Sequence, residues 1–391
     1  MKDIVITSAT RTPIGAFGGS LKHVSAIELS QFIIESVIER TGIEKNKIEQ
    51  VIMGNCFEPV DHNIARIGLI KAGLPIETIA FHIVATCGSG MQAIICAAQS
   101  ISDDMVSAAI AGGVESMSTA PYLLKTARWG SRLQHVECTD LIWKAMQDPA
   151  IGGGMGMTAE NLADKYSISR EEQDQFALRS QQCAGKAIED GGFKKEITPI
   201  PVKQRRGDPL LFDTDEYPKP DLTMQKLAAL PPAFKKGGTV TAGNACGIND
   251  AAAAVIMMTR EKAEAYGLTP LARVVSYAVA GVDPAYMGIG PVPATRNALQ
   301  KAGLKMSDIG LIEVNEAFAA QYLACERELQ WNRDIVNVKG SGISLGHPVG
   351  CTGTRIVVTL LHQMLKDKIR FGLATMCAGG GQGFALILEC E

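Results

Sequence analysis

The sequence predicts an α/β protein made of two duplicated βαβ-rich halves with a domain inserted between them. Three observations carry that prediction. Strand-like and helix-like runs in residues 1–118 recur in the same order after Leu271, offset throughout by about 260 to 270 positions. Both copies end their strands and open their helices on glycine-rich turns. Between them, Thr119 to Gly247 breaks the pattern with turns, mixed polar helices and proline-rich connections such as GDPLLFDTDEYPKPD. The expected organisation is therefore a first half from 1–118 and 248–268, an inserted loop domain at 119–247 and a second half at 269–391.

In chain order, Lys2 to Ser8 reads as a strand, and Ala26 to Thr41 as a helix whose apolar residues recur at helical spacing until Gly42. Ile48 to Gly54 is a buried strand, Asn63 to Ala72 a helix, and Ala80 to Ala85 a strand running into Cys87-Gly88-Ser89-Gly90. Met91 to Ile101 is small and apolar enough for a buried helix, and Val106 to Gly112 is again a strand. Asp250 to Gly267 supplies a further apolar segment to this half. The second copy follows: strand Ala272 to Tyr277, helix Pro293 to Ala302, strand Asp308 to Val314, helix Arg355 to Leu365, and strand Phe371 to Met376. In this register Cys87 falls opposite the His347-Pro348 turn, and Gly112-Gly113 opposite Cys377, so both halves bring turns to one shared cleft.

Composition narrows the function. At 391 residues, 46% hydrophobic and 20% charged, with no apolar run of membrane-spanning length, the chain reads as a globular protein without a membrane partner. A formal charge of −3 argues against nucleic acid, which leaves small molecules. The opening MKDIVITSATRTPIG has no secretory pattern, so the expected compartment is the cytoplasm. None of the ten cysteines forms a CxxC pair; free thiols in a reducing compartment are expected, and no metal.

Three residues stand out as carriers of chemistry. Cys87 closes a strand and opens a helix, where free N–H groups and the positive end of the helix dipole favour thiolate. His347, in Gly-His-Pro, is the only one of six histidines in a glycine setting, which suits a base or an electrophilic donor. Cys377 ends a buried strand before AGGGQG, so a nucleophile and a separate proton carrier are both on hand. Asn315 also follows a buried strand; its amide is either a helix N-cap or a donor to a water or an oxyanion. Gly342 to Gly346 satisfies GxSxG, but no Asp or Glu lies between Ser344 and His362, the last histidine, so a serine hydrolase triad cannot be completed. No GxGxxG with its acidic partner occurs in the order that a dinucleotide site needs.

Taken as an ordered set, CGSG at Cys87, GGVESMS at Gly112, MGMTAE at Met155, SREEQDQFAL at Ser169, GTVTAGNACGIND at Gly238, NEAFA at Asn315, GHPVGCTG at Gly346 and CAGGGQG at Cys377 resemble the thiolases. These enzymes make or cleave 3-ketoacyl-CoA thioesters, and the resemblance runs from Ile4 to the C-terminus. It implies a five-layered α-β-α-β-α fold whose inserted loop domain covers CoA. It also implies acyl transfer by a ping-pong route through acyl-Cys87, with His347 as activating base and Cys377 as the acid/base at the substrate α-carbon. Asn315, through a water, and His347 would form one oxyanion hole, and the N–H groups of Cys87 and Gly379 the other. CoA would be held as a substrate, with no permanently bound cofactor, near Met155, Phe234, Ala242, Gly243, Cys246, Met287 and Phe318. Lys203, Arg205, Arg206, Lys235 and Lys236 are candidates for its phosphates. The stretch Tyr122 to Leu133 resembles the loop that pairs dimers, which implies a homotetramer. This chain departs from the common pattern at Val84, where Asn is usual, at Cys246, where Ser is usual, and at Gly154, where short-chain members carry histidine; Met287 matches the short-chain members. Acetoacetyl-CoA is the favoured product or substrate, with longer acyl chains, or a thiolase-like binding protein without turnover, as the alternatives.

Overall fold

The computed structural model describes residues 2–133, 135–149 and 151–390. Its first half contains β1 (Ile4–Arg11), α1 (Ala26–Thr41), β2 (Gln50–Gly54), α2 (Ile64–Lys71), β3 (Ile79–Ile83), α3 (Ser89–Ser102) and β4 (Ala108–Ser116). The intervening region carries α4 (Met155–Tyr166) and α5 (Arg170–Glu189). Then come β5 (Asn249–Thr259), β6 (Ala272–Gly281), α6 (Pro291–Ala302), β7 (Leu311–Val314), α7 (Ala319–Leu329), α8 (Val349–Asp367), β8 (Phe371–Ala378) and β9 (Gln382–Glu389).

The strands form one sheet path in the order β7-β8-β9-β6-β1-β5-β4-β2-β3. Its centre is an antiparallel seam, Val5 opposite Arg273 and Ile6 opposite Ala272, and outward from it the halves repeat each other. Beyond the seam β5, β4 and β2 match β9, β8 and β7: the outer pairs β2/β4 and β7/β8 are parallel, and the inner pairs β4/β5 and β8/β9 antiparallel. β3 has only a one-residue counterpart, the parallel bridge of Val336 to Ile312.

Period-two alternation explains the layers. Along β5, Ala251, Ala253, Val255 and Met257 join one buried cluster with α3 and α8, while Ala252, Ala254, Ile256 and Met258 join another with α1 and α2. A strand buried on both faces reads as a continuous apolar run rather than as an alternation. In the second half Ala374, Met376, Leu386 and Leu388 face α3 and α8, whereas Leu373, Ala385 and Ile387 pack with α6 and α7. The result is α1/α2, sheet, α3/α8, sheet, α6/α7, the five-layered α-β-α-β-α arrangement that the sequence implies. Each fully buried Val, Ile or Leu in such a core contributes about 1.5–3 kcal/mol.

Local signals account for the element ends. Ser25 and Glu28 form a capping box on α1, and Gly42, at φ 68°, closes it in the left-handed region. Helix α8 is buried around nearly its whole circumference, as a helix between two sheets must be. Two elements have no counterpart in the sequence reading. Helix α7 lies in a stretch read only for Asn315, and β9 follows directly on the glycine turn after Cys377. No helix among the described residues is long and apolar enough to cross a membrane.

Candidate active site

The site forms where the two central helices begin. At their crossing a Cβ on Gly90 would lie 2.8 Å from the Thr354 nitrogen, and one on Gly353 would lie 2.3 Å from the Met91 nitrogen. Glycine at both positions lets the backbones touch, and the Thr354 hydroxyl donates to Gly90 O at 3.0 Å. Cys87 stands two residues before α3 and His347 two residues before α8, so this crossing carries both to the same end of the central layer.

The turn bearing Cys87 is tightly held. Thr86 adopts φ 48°, an outlier for a β-branched residue. Its carbonyl accepts the Ser89 hydroxyl at 2.6 Å and the Cys56 thiol at 3.3 Å, and its own hydroxyl lies 3.2 Å from Gly379 O. The expected thiolate is not the resting state. Burial pushes the Cys87 thiol up to about 11, although the N–H groups of Gly379 and of Cys87 itself pull the other way. The helix dipole is too weak here, because Cys87 precedes the Gly88 N-cap and the effect of burial outweighs it.

His347 is fixed in one tautomer by its neighbour. The Thr352 hydroxyl donates its single proton to Pro348 O at 2.9 Å, so it accepts from His347 Nδ1, 2.6 Å away. That leaves the lone pair on Nε2, a buried atom with no hydrogen-bond partner among the described residues. Burial, and then the Arg355 charge, hold the imidazole down at about 3, so it rests neutral. Both groups therefore rest neutral, and thiolate and imidazolium arise only if a proton moves between them.

The strand ends supply the remaining groups. Cys377, on β8, is fully buried, and burial together with the neighbouring Cys87, Cys325 and Cys246 sulfurs raises its thiol well above the ordinary range. Asn315 leaves the neighbouring β7 with its N–H bonded to Thr375 O, and both of its buried side-chain amide atoms lack a partner among the described residues. It is not a helix N-cap, since α7 begins at Ala319 after Phe318. Ser344 of the GxSxG stretch is buried, with its Oγ 2.8 Å from Ser180 Oγ, consistent with rejecting a hydrolase.

Around this centre, Met155 lies against Gly379, with its Cε 2.9 Å from where a Cβ there would be. Phe234, exposed and packed on Gly156, meets Phe318 edge to face at 6.0 Å. Met287 is buried, Ala242 is exposed, and Gly243 packs against Leu227 and Leu230. Cys246 donates its N–H to Ala317 O, which ties the 241–249 turn to the loop of Asn315, and burial and then Cys87 raise its thiol to about 12. Of the basic residues, Lys203, Arg205, Arg206, Lys235 and Lys236 are all exposed, and Lys235 pairs with Asp164 at 2.8 Å.

Three supports escaped the sequence reading. Glu115 accepts N–H groups from both halves, and Asp148, at 2.9 Å from Gly380 N, braces the glycine loop after Cys377. The third is a buried ion network. Arg11 on β1 binds Asp215 through two bonds and Glu196 at 2.7 Å, and Lys339 lies 3.4 Å from Glu196, which joins the intervening region to both halves. Burial pushes Glu196 up, but Arg11 and Lys339 overcome it and bring it to about 2. A charge partner hundreds of positions away leaves no local signal in a sequence.

Comparison with known proteins identifies the family. Residues 4–261 match the model of the thiolase N-terminal domain, and 268–390 that of the thiolase C-terminal domain. The chain is 50% identical over 392 residues to an acetyl-CoA acetyltransferase of Escherichia coli, covering 100% of this chain and 99% of the relative. The crystal structure of the Bacillus anthracis acetyl-CoA acetyltransferase superposes with a TM-score of 0.98 at 50% identity, over 100% of this chain and 99% of that one. Human mitochondrial 3-ketoacyl-CoA thiolase in complex with CoA gives 0.96 at 42% identity, over 100% and 98%. With both domain models matched over nearly its whole length, this chain belongs to the thiolase family.

Proposed function

We propose that the protein is an acetyl-CoA C-acetyltransferase that forms or cleaves acetoacetyl-CoA through an acetyl-Cys87 intermediate. What supports this reading is that His347 Nε2 and the Asn315 amide are buried without partners among the described residues, and that the Cys87 and Cys377 thiols are close enough to act on one another. In the first half-reaction Cys87 Sγ attacks the thioester carbonyl as its proton passes to His347 Nε2. The carbonyl oxygen becomes an oxyanion facing the N–H groups of Cys87 and Gly379. Collapse expels CoA as thiolate, which takes the proton back from His347 and leaves acetyl-Cys87.

In condensation, Cys377 as thiolate removes the α-proton of a second acetyl-CoA. The proton that Cys377 gave up sits on His347 Nε2, which with Asn315 through a water meets the enolate oxygen. The carbanion attacks the acetyl carbonyl and expels Cys87 as thiolate, which takes that proton from His347. Cleavage is the reverse, and the raised thiol of Cys377 suits it as the acid that protonates the departing carbanion. Each oxyanion donor of this kind is worth about 2.7–4 kcal/mol in the barrier. CoA would lie along Met155, Phe234, Ala242, Gly243, Cys246, Met287 and Phe318. Longer acyl groups form a second reading, favoured by Gly154, where an added Cβ would meet nothing closer than 3.4 Å.

A homotetramer is the assembly we favour. Edge strand β3 and its exit expose Ile79, Phe81 and Val84, an unpaired apolar edge that a second copy would cover. A separate apolar set at Tyr122, Leu124, Trp129 and Leu133 suits the pairing of dimers, and light scattering on the purified protein reads the mass directly. The test of function is twofold. Incubation with acetyl-CoA should add one acetyl mass to the Cys87 peptide, and acetoacetyl-CoA with CoA should be cleaved; an unmodified Cys87 in a protein without thiolysis would instead indicate a binding protein.

A further inference from the structure

We propose that Glu115 is a positioning residue that holds the nucleophile turn and the base turn in register through one carboxylate, linking Cys56 on one side to the start of α8 on the other. This rests on the reading of Cys87 and His347 as nucleophile and base. Glu115 ends β4 and is fully buried. Its Oε2 accepts the N–H of Gly350, three residues after His347, at 2.8 Å, and that of Cys56 at 3.0 Å. Its Oε1 accepts Asn55 Nδ2 at 2.8 Å and the Phe57 N–H at 3.1 Å.

The link to the nucleophile runs through Cys56. Its thiol donates to the carbonyl of Thr86, the residue before Cys87, and the Ser89 hydroxyl donates to the same oxygen. Burial and the nearby Glu115 raise that thiol well above the ordinary range, so it stays a donor. On the other side, Pro348 offers α8 no side-chain cap, and a buried carboxylate on the second N–H of the helix fills that role. The approach is close: a Cβ on Gly350 would lie 2.8 Å from Glu115 Oε2 and 2.6 Å from Asn55 Cα. The two turns belong to different halves of the chain, and the carboxylate bridges them without touching either reacting atom.

Register is what acyl transfer needs, because a misplacement of about 1 Å between reacting groups can cost about 100-fold. Glu115→Gln keeps the shape but turns an NH₂ group toward N–H donors, so one side of the bridge opens. The expected result is a 30- to 100-fold fall in kcat, on the order that such misplacement produces, with KM for acetoacetyl-CoA and for CoA within about twofold. Cys56→Ala removes the thiol's contacts with Thr86 O and with Ser89 Oγ, at 3.3 Å each, and leaves the Cys56 N–H on Glu115; it should lower kcat about tenfold, while Cys56→Ser, which keeps a donor, should recover most of that loss. Because both act through one bridge, the double variant Glu115→Gln/Cys56→Ala should be hardly slower than Glu115→Gln alone.

Wild-type protein is assayed beside them for thiolysis and for Cys87 acetylation, so that failure of the enzyme reading shows in the wild type itself. With an active wild type, the proposal is overturned if both single variants keep kcat within twofold. It is equally overturned if the losses fall on KM, if Cys56→Ser is no better than Cys56→Ala, or if the two effects multiply in the double variant. Should Glu115→Gln fail to fold, the Cys56 pair alone decides.

Discussion

The turns before α3 and α8 occupy equivalent places in the two halves, yet they are held in opposite ways. Before α3, Thr86 is forced to φ 48° and pinned by a hydroxyl and a thiol, and Cys87 stays partly open to solvent. Before α8, Gly346 takes φ 103° without strain, because a Cβ there would sit 2.3 Å from Asn249 Cγ and glycine has none. Asn249 Oδ1 accepts the His347 N–H at 3.0 Å, and the ring is buried. Duplication supplied one backbone frame, and the side chains then divided the work. On the proposed roles of Cys87 and His347 the contrast has a reason: a nucleophile must be reached by substrate, whereas a base must keep its tautomer, so one turn is strained and open and the other relaxed and closed.

The largest effects should come from separating these two turns chemically. Cys87→Ala should lose at least about 10⁴-fold in thiolysis and take up no acetyl group. His347→Gln and Cys377→Ser should each lose about 10²- to 10⁴-fold in turnover, but at different stages. Without His347 the acetylation of Cys87 itself slows, whereas with Cys377→Ser a rapid first acetylation should survive and only carbon–carbon chemistry stall. Single-turnover mass spectrometry of the Cys87 peptide separates the two. Equal slowing of acetylation in both would erase the division of roles. Asn315→Ala should cost about 10²- to 10³-fold, read as kcat, since it removes a donor needed only when the enolate forms.

How far this was legible in the sequence follows from where each signal lies. The Cys87, His347 and Cys377 turns announced themselves because glycines cluster there within a few residues of a reactive group. The register of the halves could be read because α1 and α6, or β2 and β7, keep their spacing. What stayed hidden depends on long-range contact. The Cys87 thiol rests high rather than low because burial outweighs the pull of the Gly379 and Cys87 N–H groups, and the Arg11–Glu196–Asp215 network spans residues that no local pattern connects. Glu115 lay in a quoted motif but had no visible role until Gly350, from the other half, appeared beside it. Strand β9 follows the glycine turn after Cys377 directly, and the sequence reading stopped at that turn.

A smaller effect tests the closed turn. Thr352→Val keeps the bulk but removes the acceptor that holds the proton on His347 Nδ1. The loss of one such hydrogen bond, about 1 kcal/mol, predicts a fall of about five- to tenfold in kcat with KM unchanged. The equivalent loosening of the open turn, Ser89→Ala, removes a donor from Thr86 O and should instead act on the rate of Cys87 acetylation. If both substitutions slowed the same step equally, the contrast between the turns would not survive.

The smallest expected effect is on stability against pH, and it comes from the closed turn. His347 is held at about 3, below its ordinary 6.5, so the unfolded chain binds a proton that the folded one refuses. Its contribution is fully present above about 6.5 and is lost as pH falls toward 3. Thermal unfolding of the wild type and His347→Gln across about pH 4 to 8 isolates that slope from the constant cost of the substitution. Relative to wild type, His347→Gln should gain in Tm only as pH falls below about 6.5. Parallel Tm curves for the two proteins would mean that the imidazole does not change its proton affinity on folding, and the electrostatic half of the comparison would fail.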